Sequence, residues 1–297
     1  MGECLPEVTY RTEVSVKDKI ILITGATDGI GKATALQLAA MGATIIVHGR
    51  NTERCQRSCD DLRAATGNAN IDYIVADLAS QQQIRQMAAD FAARYSRLDI
   101  LINNAGVIVP QRQLTEDGME TTFAVNHLAP FLLTHLLLDV LKRSAPARII
   151  NVASTVHYDG KIDFKDLQSE RKYNSVAAYK NAKLAEVLFT FELAERLQGT
   201  GVTANALHPG VVATKLLDAG WGWTNGWTPE QGAMLSVYLA TAPEVAQVNG
   251  AYFESMAAGG ASPKAKDVKL RQQLWDVSAK LTGITDEQFS TDATQNG

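Results

Sequence analysis

Short apolar runs of strand length recur along this chain and alternate with helical patterns of roughly 10 to 25 residues, the sequence form of repeated strand-helix-strand units. The strand candidates are Lys19–Thr24, Thr44–Val47, Ile71–Val75, Leu98–Asn103, Arg148–Ala153, Val202–Leu207 and Ala251–Phe253. Ile20-Ile21-Leu22-Ile23 and Ile45-Ile46-Val47 are apolar throughout. Strands of that kind need cover on both faces, which a parallel sheet between two helical layers provides. The expectation is therefore an α/β fold with one doubly wound, mainly parallel, seven-stranded sheet. No internal repeat, low-complexity tract or Pro/Ser-rich linker divides the chain. Residues 1–297 read as a single domain with an N-terminal arm over 1–18.

Composition narrows the partners. Apolar residues make up 46% and the formal net charge is −4, enough for a large core and too little charge to draw the chain toward polyanions, so nucleic acid is not expected. The start, Met1-Gly2-Glu3-Cys4-Leu5-Pro6, lacks the basic, apolar and small-residue parts of a secretion signal. The most apolar internal run, Phe131 to Leu141, is interrupted by His135 and Asp139, so no membrane span is read. Cys4, Cys55 and Cys59 are an odd set, and the pair four apart lacks the further ligands of a zinc site. His157 and His208 likewise have no matching carboxylate or thiol cluster. Reduced thiols, no metal and a cytoplasmic location are expected.

The stretch Thr24-Gly25-Ala26-Thr27-Asp28-Gly29-Ile30-Gly31 follows the first strand and opens a helix near Ile30. Gly25 suits a tight turn, Gly29 the approach of backbone to a pyrophosphate, and Gly31 close packing of helix on strand, with the helix N-terminus facing the anion. The functional reading is a Rossmann-type dinucleotide cradle that uses Gly25, Thr27, Asp28, Gly29, Ile30 and Gly31. The spacing differs from the commoner GxGxxG, and a tight turn without a ligand is the competing reading.

Tyr179 and Lys183 lie four apart in a helical pattern that ends near Gly199, so they share one face. A phenol with an ordinary pKa of about 10 exchanges protons poorly at neutral pH, and a nearby ammonium favours the phenolate. Taken alone, such a pair is more often an ordinary surface feature.

With the glycine stretch, Asn103-Asn104-Ala105-Gly106, Asn126, Ser154, the Tyr179/Lys183 pair and His208-Pro209-Gly210 in this order, the chain resembles the short-chain dehydrogenase/reductase family over roughly residues 18 to 255. The resemblance implies an NAD(P)(H)-dependent oxidoreductase that interconverts a carbonyl and an alcohol. It makes Tyr179 the general acid or base, Ser154 the partner of the substrate oxygen, Lys183 the holder of the nicotinamide ribose, and Asn126 the anchor of a proton path. It assigns Asn103, Ala105 and Gly106 to the adenosine side of the cofactor, and Asp77 with Leu78 to the adenine. Pro209, Gly210, Val212 and Thr214 fall at the loop that fixes the nicotinamide carboxamide. Strand-end capping for Ser154, an internal polar contact for Asn126, a helix cap for Asp77 and a plain turn at Pro209-Gly210 are the structural alternatives.

The second strand ends in Val47-His48-Gly49-Arg50-Asn51, without an acid to bind the ribose hydroxyls of NAD. Arg50, flanked by Asn51, can instead pair with a 2′-phosphate, so NADP(H) is expected over NAD(H). Residues 155–178, which separate Ser154 from Tyr179, form a segment about twice as long as in many short members and should border the site. That segment, Lys183-Leu184-Ala185 and Leu274-Trp275-Asp276-Val277-Ser278 resemble the retinol dehydrogenase and WW-domain oxidoreductase branch, which implies a lipophilic substrate. Residues 212–230, with Trp221, Trp223 and Trp227 among glycines, read as a substrate lid, with a subunit contact or a membrane-surface patch as alternatives. Reduction of a carbon-carbon double bond and a catalytically silent dinucleotide-binding scaffold are the rival functions. A homodimer or homotetramer paired through the Tyr179 helix and the helix before it is also implied by the family pattern.

Overall fold

The computed structural model describes residues 16–285. One sheet runs through it, in the order β3-β2-β1-β4-β5-β6-β7-β8. Its strands are β1 (Ile20–Ile23), β2 (Thr44–Gly49), β3 (Ile71–Val75), β4 (Ile100–Asn103), β5 (Ala147–Val152), β6 (Val202–Leu207), β7 (Tyr252–Phe253) and β8 (Ala258–Gly259). The first seven pair in parallel and coincide with the expected runs. β8 is an addition to the expected seven strands and pairs antiparallel with β7. It is two exposed residues joined through backbone alone, so it carries no apolar period for sequence reasoning to detect.

The helices are α1 (Gly29–Ala40), α2 (Thr52–Thr66), α3 (Gln81–Arg94), α4 (Thr121–Phe123), α5 (Ala129–Leu136), α6 (Leu138–Arg143), α7 (Ser175–Arg196), α8 (Lys215–Trp221), α9 (Pro229–Thr241) and α10 (Val268–Thr282). α1 packs between α2 and α9 on one side of the sheet, while α3, α5, α7 and α10 form the other layer. Ile21, Leu22 and Ile23 lie in register with Ile45, Ile46 and Val47 on one side and with Ile100, Leu101 and Ile102 on the other. All nine are buried, as a strand covered on both faces requires. Short polar side chains set the helix starts: Asp28, Asn51, Ser80, Asn174 and Thr228 each accept a backbone N–H of the first turn.

Val16 is buried in the core beneath α1; residues 1–15 of the expected arm, Cys4 among them, lie outside the described residues. Cys55 and Cys59 are buried, free thiols on α2, and burial pushes Cys59 up to about 12. Among the described residues no helix is long and apolar enough to cross a membrane, and no group of three or more His, Cys, Asp or Glu could hold a metal ion.

Strand order reverses beside β1, since β2 lies on one side and β4 on the other, and this opens a crevice at the carboxyl ends of the strands. On the far side of α7, α10 inserts Trp275 between Phe131 of α5 and Phe189 of α7, with ring centroids 5.1 and 6.0 Å away. The Arg196 guanidinium covers the same indole at 4.2 Å. Part of the helical layer that the family pattern assigns to subunit pairing is thus covered by the chain's own α10. Replacing Trp275 by Ala should lower stability by about 3–5 kcal/mol, the usual cost of deleting a buried indole. A urea titration checks this through its midpoint, with the slope unchanged.

Candidate active site

The crevice begins where β1 ends. The buried Thr24 hydroxyl accepts the backbone N–H groups of Asn104 (2.9 Å) and Ala105 (3.0 Å), which ties the end of β1 to the loop after β4. Gly25 follows at φ +67°, and a Cβ there would lie 3.0 Å from Ala105 Cα. A Cβ on Gly31 would come within 2.4 Å of the Gly25 carbonyl oxygen, so the close helix-strand packing expected of this glycine is present. The Gly25 N–H donates to His48 Nδ1 (3.2 Å), and Nε2–H of the same ring donates to the Ala76 carbonyl (3.1 Å). Desolvation drives the His48 pKa down to about 4 against the opposing pull of the Ala76 bond and Asp77, so the ring is neutral and its tautomer is fixed. Asp28 caps α1 by accepting the Gly29 N–H (2.9 Å) and also pairs with Lys215 of α8 (2.6 Å) and Arg54 of α2 (3.5 Å). The hydrogen bond from Lys215 leads the contributions that hold the Asp28 carboxyl below its ordinary value, over a smaller penalty for burial.

A cleft of about 1390 Å³ runs along this edge. The glycine loop residues Gly25, Thr27, Asp28, Gly29, Ile30 and Gly31 form one wall, with the N-terminus of α1 opening onto it. Arg50 stands exposed at the rim with no ion-pair partner among the described residues, and Asp77, Leu78, Ala105 and Gly106 continue the floor. Pro209, Gly210, Val212 and Thr214 close the far end. The space is larger than the roughly 300–1,000 Å³ typical of one small ligand, and its glycine-lined wall at a helix N-terminus suits the pyrophosphate of a nicotinamide dinucleotide.

Ser154, Tyr179 and Lys183, far apart along the chain, line the same cleft. Ser154 follows β5 and caps a short 3-10 turn (Thr155–Asp159) by accepting the Val156 N–H at 3.4 Å, which leaves its own O–H free to donate. Tyr179 and Lys183 come from α7, with the ammonium 5.7 Å from the centre of the phenol ring. Lys183 Nζ is buried and donates to the Val152 carbonyl and to Glu186 Oε2, both at 2.7 Å. Burial would push the Lys183 pKa down, but Glu186 and Tyr179 together carry it above its ordinary value. Burial raises the Tyr179 pKa, with Lys183 opposing and Glu186 adding to the rise.

Three expected site residues lie off the cleft wall. Asn126 sits in a π-type turn (Ala124–Leu128), where its side chain accepts the Val107 N–H and donates to the Val107 carbonyl, both at 2.8 Å. It clamps the loop after β4 and flanks Gly106, where a Cβ would be 3.3 Å from Asn126 Oδ1 and 3.8 Å from Lys183 Nζ. Asn103 is buried, and its amide donates to Thr134 (3.2 Å) and Asn151 (2.8 Å); the neighbouring Asn104 lines the cleft in its place. Asn51 caps α2 through the Arg54 N–H (2.9 Å). Asp77 is not a helix cap: Ser80 caps α3, while Asp77 accepts the Ala79 N–H at 2.9 Å and faces the cleft. His157 is not free for a metal, because it donates from Nδ1 to the Ser154 carbonyl and accepts the Ser262 N–H at Nε2.

Sequence reasoning missed Thr24, His48, Asn104 and Glu186. Thr24 and Asn104 stand inside the motifs already singled out, so position could have found them. His48 also stands inside the quoted end of the second strand, but its partners come from other strands; Glu186 has its partner three residues away, and only packing depth makes that pair a buried one.

The segment 155–178 borders the cleft only through Thr155 and Val156; the rest packs beside α7, where the Tyr173 hydroxyl donates to the Val109 carbonyl (2.6 Å). In 212–230, α8 lies over the cleft, and backbone bonds Ala213–Trp227 (2.9 Å) and Trp227–Val211 (2.8 Å) close the segment at its base. Trp221 presents its ring edge-on to Tyr179 at 5.9 Å. Trp223 also lines the cleft, while Trp227 lies over Gly210, where a Cβ would meet the indole at 2.4 Å.

Residues 19–223 match the short chain dehydrogenase family. The chain belongs to the short-chain dehydrogenase family. It is 46% identical to human retinol dehydrogenase 13 over 288 residues, covering 92% of this chain and 87% of that one, which places it in the retinol dehydrogenase-like branch. A solved structure from Mycobacterium paratuberculosis superposes with a TM-score of 0.77 at 31% identity, covering 91% of this chain and 95% of that one. A short chain dehydrogenase from Escherichia coli CFT073, solved in complex with NADPH, gives a TM-score of 0.69 at 27% identity over 81% of this chain and 97% of that one. This short-chain dehydrogenase is accordingly an oxidoreductase of the nicotinamide-dependent, alcohol/carbonyl class.

The buried neutral His48 makes stability pH-dependent. Its folded pKa lies below the unfolded value of 6.5, so the unfolded chain takes up the proton first; stability is complete above about 6.5 and is lost as pH falls toward 4. Denaturant melts of the wild type and His48→Asn over pH 7 to 4.5 should show the variant less stable at neutrality and less sensitive to acid, by up to about 1.4 kcal/mol per pH unit.

Proposed function

We propose that this short-chain dehydrogenase uses NADPH to reduce an aldehyde or ketone carried on an apolar small molecule. The observation that carries the reading is the convergence of the Tyr179 phenol, the Ser154 hydroxyl and the Lys183 ammonium on one dinucleotide-sized cleft. When bound, the nicotinamide supplies the hydride that the carbonyl carbon accepts. Tyr179 donates the proton that the developing alkoxide takes up, and alcohol oxidation reverses both transfers. Ser154 donates a hydrogen bond to the same oxygen and fixes its place between phenol and ring. Lys183 would hold the ribose hydroxyls with the N–H that its two buried bonds leave over, and Asn126 supports that corner by clamping Val107.

Along the cofactor, the backbone from Gly25 to Gly31 would receive the pyrophosphate, Asp77 and Leu78 the adenine, Ala105 and Gly106 the adenosine side, and Pro209 to Thr214 the carboxamide. Asn51 and Asn103 would act from behind, by fixing α2 and the end of β4. Arg50 would pair with the 2′-phosphate, because it has no ion-pair partner among the described residues and no carboxylate ends β2; the NADPH-bound relative supports that choice. Ile108, Val109, Leu114, Val156, Leu216 and Trp221 give the remaining volume an apolar wall, which supports a lipophilic substrate. Residues 212–230 would act as its lid, with Trp221 moving off Tyr179 as the carbonyl enters.

A panel of aldehydes, ketones, quinones and secondary alcohols, followed at the nicotinamide absorbance with both cofactors, tests the activity. Tyr179→Phe should lower kcat by about 10²–10⁴-fold while NADPH affinity is kept; a variant that still turns over normally removes the phenol from the mechanism. Arg50→Asp should invert the ratio of kcat/KM for NADP(H) over NAD(H), and an unchanged ratio would exclude Arg50 as the phosphate partner.

A further inference from the structure

Lys183 is paired with a carboxylate that the mechanism above does not use. Glu186 lies one turn further along α7, and the two side chains are 3% and 2% exposed, with Nζ and Oε2 2.7 Å apart. We propose that Glu186 is a positioning residue that holds the Lys183 ammonium and cancels much of its field at the Tyr179 phenol, keeping that phenol a proton donor and favouring carbonyl reduction over alcohol oxidation. This rests on the reading of Tyr179 as the proton donor.

The argument begins with donor geometry. An ammonium has three N–H groups, and Lys183 spends two on the Val152 carbonyl and Glu186, so its direction is fixed by groups behind the cleft. The second step is charge. A lone ammonium beside a phenol stabilises the phenolate, but an anion within hydrogen-bond distance turns the monopole into a dipole whose field falls off faster. Neither member reaches solvent, so salt screens the pair weakly. The direction at Tyr179 agrees: burial raises its pKa, Lys183 lowers it and Glu186 raises it, with a net rise. Burial pushes the Glu186 carboxyl up, while the Lys183 ammonium pulls it down through its charge and its hydrogen bond.

Apart from Tyr179, the titratable groups around α7 that act on this pair are few. Tyr252 of β7 feels Glu186, and its own pKa is raised first by burial. His127 bonds Ser278, and His157 bonds Ser154 and Ser262. Lys264 donates to the Gly160 carbonyl, and Arg271 lies 3.6 Å from Glu192. None of these four engages the Glu186 carboxylate.

The test is a titration of the Tyr179 phenol by phenolate absorbance in the full-length protein, with and without NADP⁺, using Tyr179→Phe as the blank. In Glu186→Gln, which keeps the shape and an acceptor for Lys183, the Tyr179 midpoint should fall by about one pH unit or more, giving roughly tenfold more phenolate at a given pH. The acidic limb of alcohol oxidation should move down with it. A midpoint that is unchanged or higher overturns the proposal, even if stability or KM changes. Glu186→Asn serves the same reading if the Gln variant does not fold. Because the titration needs no turnover, a protein that reduced none of the carbonyls would still report this coupling, and the two ideas can fail separately.

Discussion

The burial of a single ammonium organises the site. Placing Lys183 out of water costs several kcal/mol unless its donors are met, and they are met by the last residue of β5 and by a carboxylate on its own helix. The acceptor on β5 is Val152, two residues before Ser154, so the bond that satisfies the lysine also sets α7 against the strand end that carries the serine. Tyr179, one turn earlier on α7, is located by the same contact. Phenol, hydroxyl and ammonium are therefore one packing solution, and a shift of α7 along β5 would leave a charge unpaired.

The glycine-loop end of the cleft is held by neutral and compensated groups. His48 joins three strand ends by accepting from the glycine loop after β1 and donating to the residue after β3, while it sits at the end of β2. A charged ring could not accept from Gly25, so desolvation of the imidazole is part of the cradle's rigidity. Asp28 connects the cradle to α8 through Lys215 and to α2 through Arg54, which brings both positive side chains toward the rim where Arg50 stands. The glycine-loop wall is thus cross-linked to α8, which lies over the cleft.

Much of this could be read from residues in order. The seven parallel strands announce themselves because a doubly covered strand must be apolar in every position, and the glycine loop does so because only glycine tolerates a carbonyl 2.4 Å from its β position. Tyr179, Lys183 and Ser154 were found by motif and stand on one cleft. Polar residues near strand ends were harder: Asn103 and Asn104 are adjacent and chemically identical, yet one faces the core and one the cleft, a distinction set by strand pleat and by partners 31 and 48 residues away. Asn126 was singled out by motif, but its role as a backbone clamp was not legible, because the π-type turn that aims it at Val107 has no sequence period. Glu186 was hidden for a related reason. A glutamate three places after a lysine reads as a surface ion pair, and only the depth of α7 turns it into a buried one.

α10 gives α7 an unusual dependence. Trp275 seals the outer flank of α7 and is sandwiched by side chains numbered more than eighty residues earlier. During synthesis β1 to β6 and the glycine loop emerge well before that indole does, so much of the inner wall of the cleft can assemble while the back of α7 still faces water. Full rigidity of the wall that carries Tyr179 and Lys183 then arrives only as the chain's later residues dock.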